Sequence, residues 1–295
     1  MRCLQAAAAG GPPRLGLLEG GRVRLLGKPH DGVATTLDLL TAADERGLDP
    51  AAWRRAAESA SAFEDVAWAD LAAGRLAAKL TVPLTPPEVW GAGVTYRRSA
   101  DFREEGSGYY DSVYDAERPE LFFKASAARC AGPGEPIGRR HDSSFTASEP
   151  EVAVVVGGSG AILGFTLAND VSAWDIEREN PLYLPQSKIY RGCFSFGPVV
   201  VTPDELGDPY ALEVHCRVER GRREVFAGSA STSQLKRRFP ELVEWLFRSN
   251  HVPAGTVLST GTGIIQPLGS GLEEGDVVTI SCPQIGELRN PVAIV

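Results

Sequence analysis

The stretch from Glu151 to Asp170, "EVAVVVGGSGAILGFTLAND", constrains this chain most. Two apolar runs flank Gly157-Gly158-Ser159-Gly160, and such a pair around a glycine turn reads as a β-hairpin. Just upstream, "SEPEVAVVV" sets Glu149 and Glu151 two residues apart as the first strand begins. Residues i and i+2 of a strand share a face, so both carboxylates point the same way, ahead of a run that looks buried. With the hairpin centred near residues 158–159, Glu151 falls opposite about Thr166 and Glu149 opposite about Ala168. Asp170 lies just beyond, at the same end of the ladder. Three carboxylates that converge in a low dielectric repel unless they are protonated or hold a cation. An all-oxygen set suits Mg²⁺, Mn²⁺ or Ca²⁺ better than zinc, and no His or Cys is near in sequence. The plain alternative is a set of solvated strand-end acids. Spacing alone leaves both readings open.

The rest of the chain is also punctuated into short strands. Residues 14–27 alternate around Gly20-Gly21 and read as a hairpin. Residues 36–47 and 50–63 read as helices, the first closed by a glycine and the second with Pro50 in its first turn. A linker with Pro83, Pro86 and Pro87 follows, which sets a small N-terminal domain at 1–80 before a catalytic domain at 81–295. Beyond it, 89–96, 120–126, 195–202, 211–231 and the C-terminal segments read as strands. Residues 99–106 are a candidate helix, and 232–250 is helical in its second half with Pro240 at a kink or first turn. Many glycine-punctuated strands with few helices predict an α+β, β-rich barrel or roll.

Composition narrows the function classes. A net charge of −8 over 295 residues argues against general binding to nucleic acid or anionic membranes. No run approaches the roughly 20 apolar residues that span a bilayer. The opening "MRCLQAAAAGG" lacks the apolar core of a secretory signal. Five cysteines with no CxxC pair fit free thiols in a reducing cytoplasm.

Other residues offer chemistry with less support. Lys188, in "YLPQSKIYRG", has the apolar and aromatic neighbours of a base or Schiff-base former, although a snorkelling surface lysine has the same signature. Lys124, in the apolar strand "LFFKAS", has the same two readings. Glu120 is either a further acid near the site or a solvated strand start. Thr262, in "STGTGI", lies in a glycine-flanked turn that can face a carboxylate with N–H groups and a hydroxyl. His30, His141, His215 and His251 are dispersed, and Cys193 has no arranged basic partner. "GGSG" lacks the GK[ST] and following helix of a phosphate loop.

Taken in order, the ExE pair, "GFTLANDVSAWDIE", the lysine, "FGPVVVT", "GTG" and "LEEGD" resemble the fumarylacetoacetate hydrolase family from about Pro86 to the C-terminus. The resemblance implies a mixed β-roll catalytic domain and a homodimer or a dimer of dimers. It implies that Glu149, Glu151 and Asp170 bind the divalent metal, that Lys188 reaches the substrate and that Thr262 binds the substrate's carboxylate end. Tyr96, closing the Gly93-Val94-Thr95-Tyr96 strand, is expected at the substrate as well. Hydrolases and decarboxylases of the family carry a His and a Glu after this strand, where this chain has Ser99 and Phe102. Trp174 also stands where arginine is common.

The segments 113–125 and 179–190, with the N-terminal extension, look closer to the branch that dehydrates 2-keto-3-deoxy sugar acids such as 2-keto-3-deoxy-D-arabinonate. That branch implies a Mg²⁺-dependent hydro-lyase giving a semialdehyde such as 2,5-dioxopentanoate; Lys188 is then the candidate base or Schiff-base partner, and Glu120 or a metal-bound water the candidate acid for the leaving hydroxyl. The alternatives are a C–C hydrolase or decarboxylase on an acylpyruvate or oxaloacetate-like acid, and a metal- or acid-binding protein without catalysis.

Overall fold

The computed structural model describes residues 1–60, 62–97 and 113–295. The expected helix at 99–106, with Ser99 and Phe102, lies outside them. The fold is α+β and strand-rich, as expected. Its main sheet runs from Phe63–Ala67 through Arg22–Leu26, Arg14–Glu19, Arg2–Ala7, Phe194–Val201, Ile162–Asp170, Pro150–Val156, Thr256–Ser259 and Val89–Gly93 to Glu120–Ala125. A second sheet runs Arg223–Ser231, Glu213–Arg220, Val277–Cys282, Gly286–Ile294 and Ile137–Arg139.

The hairpin read from Glu151–Asp170 sits at the centre of the main sheet. All seven residues of Pro150–Val156 are buried. Val152, Val154 and Val156 pack with Val214, Val218, Val278 and Ile280 of the second sheet and with the amphipathic Phe239–Phe247 helix. Ala153 and Val155 pack on the opposite face with Leu40, Phe194 and Phe196. Coverage on both faces explains why this strand reads as a continuous apolar run without alternation. Pro150 opens the strand, where a missing N–H costs the ladder least.

The pairing differs by two residues from the sequence expectation. Glu151 pairs with Ala168 and Pro150 with Asn169. The turn is longer than two residues, and a bulge at Val155/Val156 adds one to the count. An even shift keeps every side chain on its face. Asp170 therefore lies directly beside Glu149, and its N–H donates to the Glu149 carbonyl at 3.0 Å.

Residues 36–46 and 50–59 form the two expected helices, capped by Thr35 and Asp49. Their apolar faces cover Cys3, Leu15, Leu17 and Leu26 through Leu39 and Trp53. Sequence periodicity missed the first strand, Arg2–Ala7, which pairs with Phe194–Val201 across the proline linker. Two short helices, Trp174–Glu179 and Leu184–Lys188, were also not expected. No helix among the described residues is long and apolar enough to cross a membrane.

Candidate active site

Glu149, Glu151 and Asp170 are each buried to within a few per cent, and one carboxylate oxygen from each lies within 4.8 Å of the others. The hairpin ladder alone brings them together. Each carboxylate is held by its own donors. Glu151 Oε2 accepts from Ser259 Oγ and from the Gly261 N–H, both at 2.6 Å. Glu149 Oε1 accepts from the Trp174 indole at 2.6 Å. Asp170 Oδ1 meets Lys124 Nζ at 2.5 Å and Ser172 Oγ at 3.2 Å. Lys188 Nζ, at the end of the short helix, donates to both Glu149 oxygens at 3.1 and 3.0 Å, to Asp170 Oδ2 at 3.1 Å and to Ser172 Oγ at 2.7 Å.

The electrostatics divide the three acids. Burial, and then the charges of Asp170 and Glu149, push Glu151 up to about 8, against the hydrogen bonds from Ser259 and Gly261. Burial alone would raise Asp170 too, but the Lys124 and Lys188 charges outweigh it and hold Asp170 below the ordinary aspartate value. A buried carboxylate that resists its own charge beside two others fits a site for a divalent cation. The donor set is all carboxylate oxygen, the preference of Mg²⁺, Mn²⁺ and Ca²⁺. The residues present therefore fit the group that the resemblance implies.

Glu120, Thr262 and Lys188 line one common space with Glu149 and Asp170, so the structure brings these expected residues together. Glu120 reaches it across Gly93, its partner in the ladder, where a Cβ would collide with the carboxylate. Phe122 crosses Gly91 in the same way, and its ring centre lies 5.2 Å from Lys188 Nζ. Thr262 Oγ1 accepts from the Ile264 N–H at 3.0 Å, which fixes the turn.

Lys124 and Tyr96 sit differently from the expectation. Lys124 is fully buried and spends its ammonium on Asp170 and on the Val171 carbonyl at 2.9 Å. Its place behind Asp170 suits holding a ligand and not contacting a substrate. Tyr96 lies in the hydrophobic core with its ring against Gly263, and burial pushes its hydroxyl well above the ordinary tyrosine value. Sequence reading missed Ser172, Ser259, Gly261 and Glu177. Glu177 is buried, lines the same space and accepts from Ser187 Oγ at 3.4 Å. In "WDIERE" it looks like one more solvated helix charge.

Fold and site together define a family. Residues 88–293 match the fumarylacetoacetate hydrolase C-terminal domain, and this chain belongs to that family. Among its curated relatives is the 2-dehydro-3-deoxy-D-arabinonate dehydratase of Saccharolobus solfataricus, 48% identical over 221 residues, 72% of this chain and 74% of the relative. A probable 2-keto-3-deoxyxylonate dehydratase of Haloferax volcanii is 46% identical over 219 residues, 73% of this chain and 75% of the relative. A solved 2-keto-3-deoxy-D-arabinonate dehydratase, complexed with magnesium and 2,5-dioxopentanoate, superposes with a TM-score of 0.85. It is 36% identical and covers 100% of this chain and 99% of its own.

Proposed function

We infer that this chain is a Mg²⁺-dependent dehydratase of a 2-keto-3-deoxy sugar acid, a pentonate such as 2-keto-3-deoxy-D-arabinonate, and that it forms 2,5-dioxopentanoate. One observation carries the reading. The buried Glu149–Glu151–Asp170 set stands in a fold shared over its full length with an enzyme solved with magnesium and that product.

The reaction removes a proton from C3 and hydroxide from C4, which leaves as water. The resulting 3-ene then loses a proton from C5 and regains one at C3, and the C4–C5 enol becomes the C5 aldehyde. A divalent ion bound by the three carboxylates supplies Lewis acidity, which makes the C3 protons of a 2-keto acid removable. Lys188 Nζ takes that proton in this reading; it lines the space and reaches across Glu149 and Asp170. To do so it must first leave those carboxylates and lose its ammonium proton to solvent, so that the neutral amine accepts the C3 proton. Glu120, which lines the same space, delivers a proton to the departing hydroxyl in this reading. Thr262 and its turn meet the carboxylate end of the substrate. Lys124 and Trp174 hold Asp170 and Glu149 in place for the ion. The chain acts in the cytoplasm as a homodimer or homotetramer in this reading, in keeping with its free cysteines and its family.

Turnover tests the assignment of Lys188. Lys188→Met abolishes formation of 2,5-dioxopentanoate while Glu120→Gln slows it, by about 10²-fold or more. A Lys188→Met variant with wild-type kcat would remove lysine from the mechanism.

A further inference from the structure

On the face of the Ile162–Asp170 strand away from Asp170, Asn169 is completely buried and makes two contacts through one atom. Its Oδ1 accepts from Ser148 Oγ at 3.0 Å and from the Glu149 N–H at 3.1 Å. Its Nδ2 is buried and has no partner among the described residues. The amide cannot turn over, because a main-chain N–H needs an acceptor and Nδ2 is none. A buried donor left unpaired costs stability, and a native structure that keeps one invites an explanation. The ladder supplies it. Asn169 pairs with Pro150, which has no N–H, and the residue before that proline is Glu149. The side chain of Asn169 takes up the N–H of Glu149, while the Asp170 N–H takes its carbonyl at 3.0 Å. Ser148 is in turn fixed from its own main chain, since its N–H donates to Gln266 Oε1 at 2.6 Å.

We propose that Ser148 and Asn169 form a latch that sets the backbone of Glu149 and so positions its carboxylate for the divalent ion; this rests on the metal site described above. Asn169 is a positioning residue. The latch grips the main chain of Glu149, whereas Trp174 and Lys188 grip its carboxylate. Groups behind metal ligands typically govern affinity by about 10- to 100-fold.

Mn²⁺ binding, followed by electron paramagnetic resonance on the purified full-length chain without substrate, tests this. Asn169→Ala weakens Mn²⁺ binding at least tenfold, and Asn169→Asp, which keeps the acceptor oxygen, stays within about threefold of wild type. Ser148→Ala, which removes only the brace, weakens it measurably and retains the fold if Asn169→Ala does not. Thr36→Ala, which loses a buried bond to the Leu4 carbonyl at 3.1 Å in the N-terminal helix, binds Mn²⁺ as wild type does. Wild-type affinity in folded Asn169→Ala or in Ser148→Ala would overturn the latch alone. Equal losses in Asn169→Ala and Asn169→Asp would do the same. A wild-type chain that binds no Mn²⁺ would overturn the metal site and the latch with it.

Discussion

Trp174 reaches Glu149 from within a small aromatic cluster, its ring 5.7 Å from that of Phe145. Only the indole N–H makes the 2.6 Å bond to the carboxylate, so Trp174→Phe keeps most of the packing and removes the donor. We expect half-saturating Mg²⁺ to rise about tenfold with little change in the urea midpoint; calorimetric Mg²⁺ titration reads the first and a denaturant melt the second. Glu151 gives a pH prediction. Burial and its two acidic neighbours raise it from an ordinary 4.5 to about 8 in the metal-free fold. The folded chain then holds a proton that the unfolded chain has released, so metal-free stability falls as pH rises through that window. Added Mg²⁺ opposes the fall, because the ion binds the carboxylate form. Urea melts in chelator at pH 5 and 8 measure the effect, and Glu151→Gln removes this residue's share of it. A midpoint that climbs equally with pH in both proteins would refute the assignment. The converging carboxylates were legible because a two-residue period shows in the sequence itself. Lys124 was not, since a lysine inside an apolar strand looks the same whether it meets substrate or a buried aspartate.

At the level of elements, the turn after Thr256–Ser259 carries one wall of the site. Gly261 has φ +92, and a Cβ there would collide with Thr95 Oγ1, which donates to the Thr260 carbonyl at 2.7 Å. Its own N–H serves Glu151. Gly261→Ala therefore strains the backbone and displaces a ligand's donor together. It is expected to cost about 1–3 kcal/mol and to weaken Mg²⁺ binding, both readable in melts with and without the ion. The hairpin's existence and its shared acidic face were plain from the glycine turn and the apolar runs. Its register was not, because turn length and a bulge are set by local geometry that composition does not record. The Trp174–Glu179 and Leu184–Lys188 helices escaped for another reason. Each is too short to show a 3.6-residue period. They take their shape from the packing that brings Lys188 over Glu149, aided by the bond from Ser187 Oγ to the Ala173 carbonyl at 2.9 Å.

Across the whole molecule, the first strand is part of the main sheet. Cys3 and Leu4 are fully buried, and Arg2 and Cys3 pair with Val201 and Val200. Gln5 ties that strand to the linker through the Val82 carbonyl at 3.1 Å. We therefore expect residues 81–295 alone to be insoluble or to lack a cooperative melt, since their removal uncovers a central edge and apolar surface. A soluble fragment with a sharp transition would show that the N-terminal segment is a separate unit. The family resemblance was legible over the catalytic part because its motifs lie in register with the hairpin. The N-terminal strand lacked such a signal, because "RCLQAA" shows no two-residue alternation of apolar and polar residues. All of these roles depend on the reaction itself. Purified full-length protein with Mg²⁺ and 2-keto-3-deoxy-D-arabinonate, followed by mass spectrometry for 2,5-dioxopentanoate, tests it directly. That product is expected, lost with chelator and restored by Mg²⁺. Mg²⁺-loaded protein that leaves this acid and other 2-keto-3-deoxypentonates unchanged would contradict it.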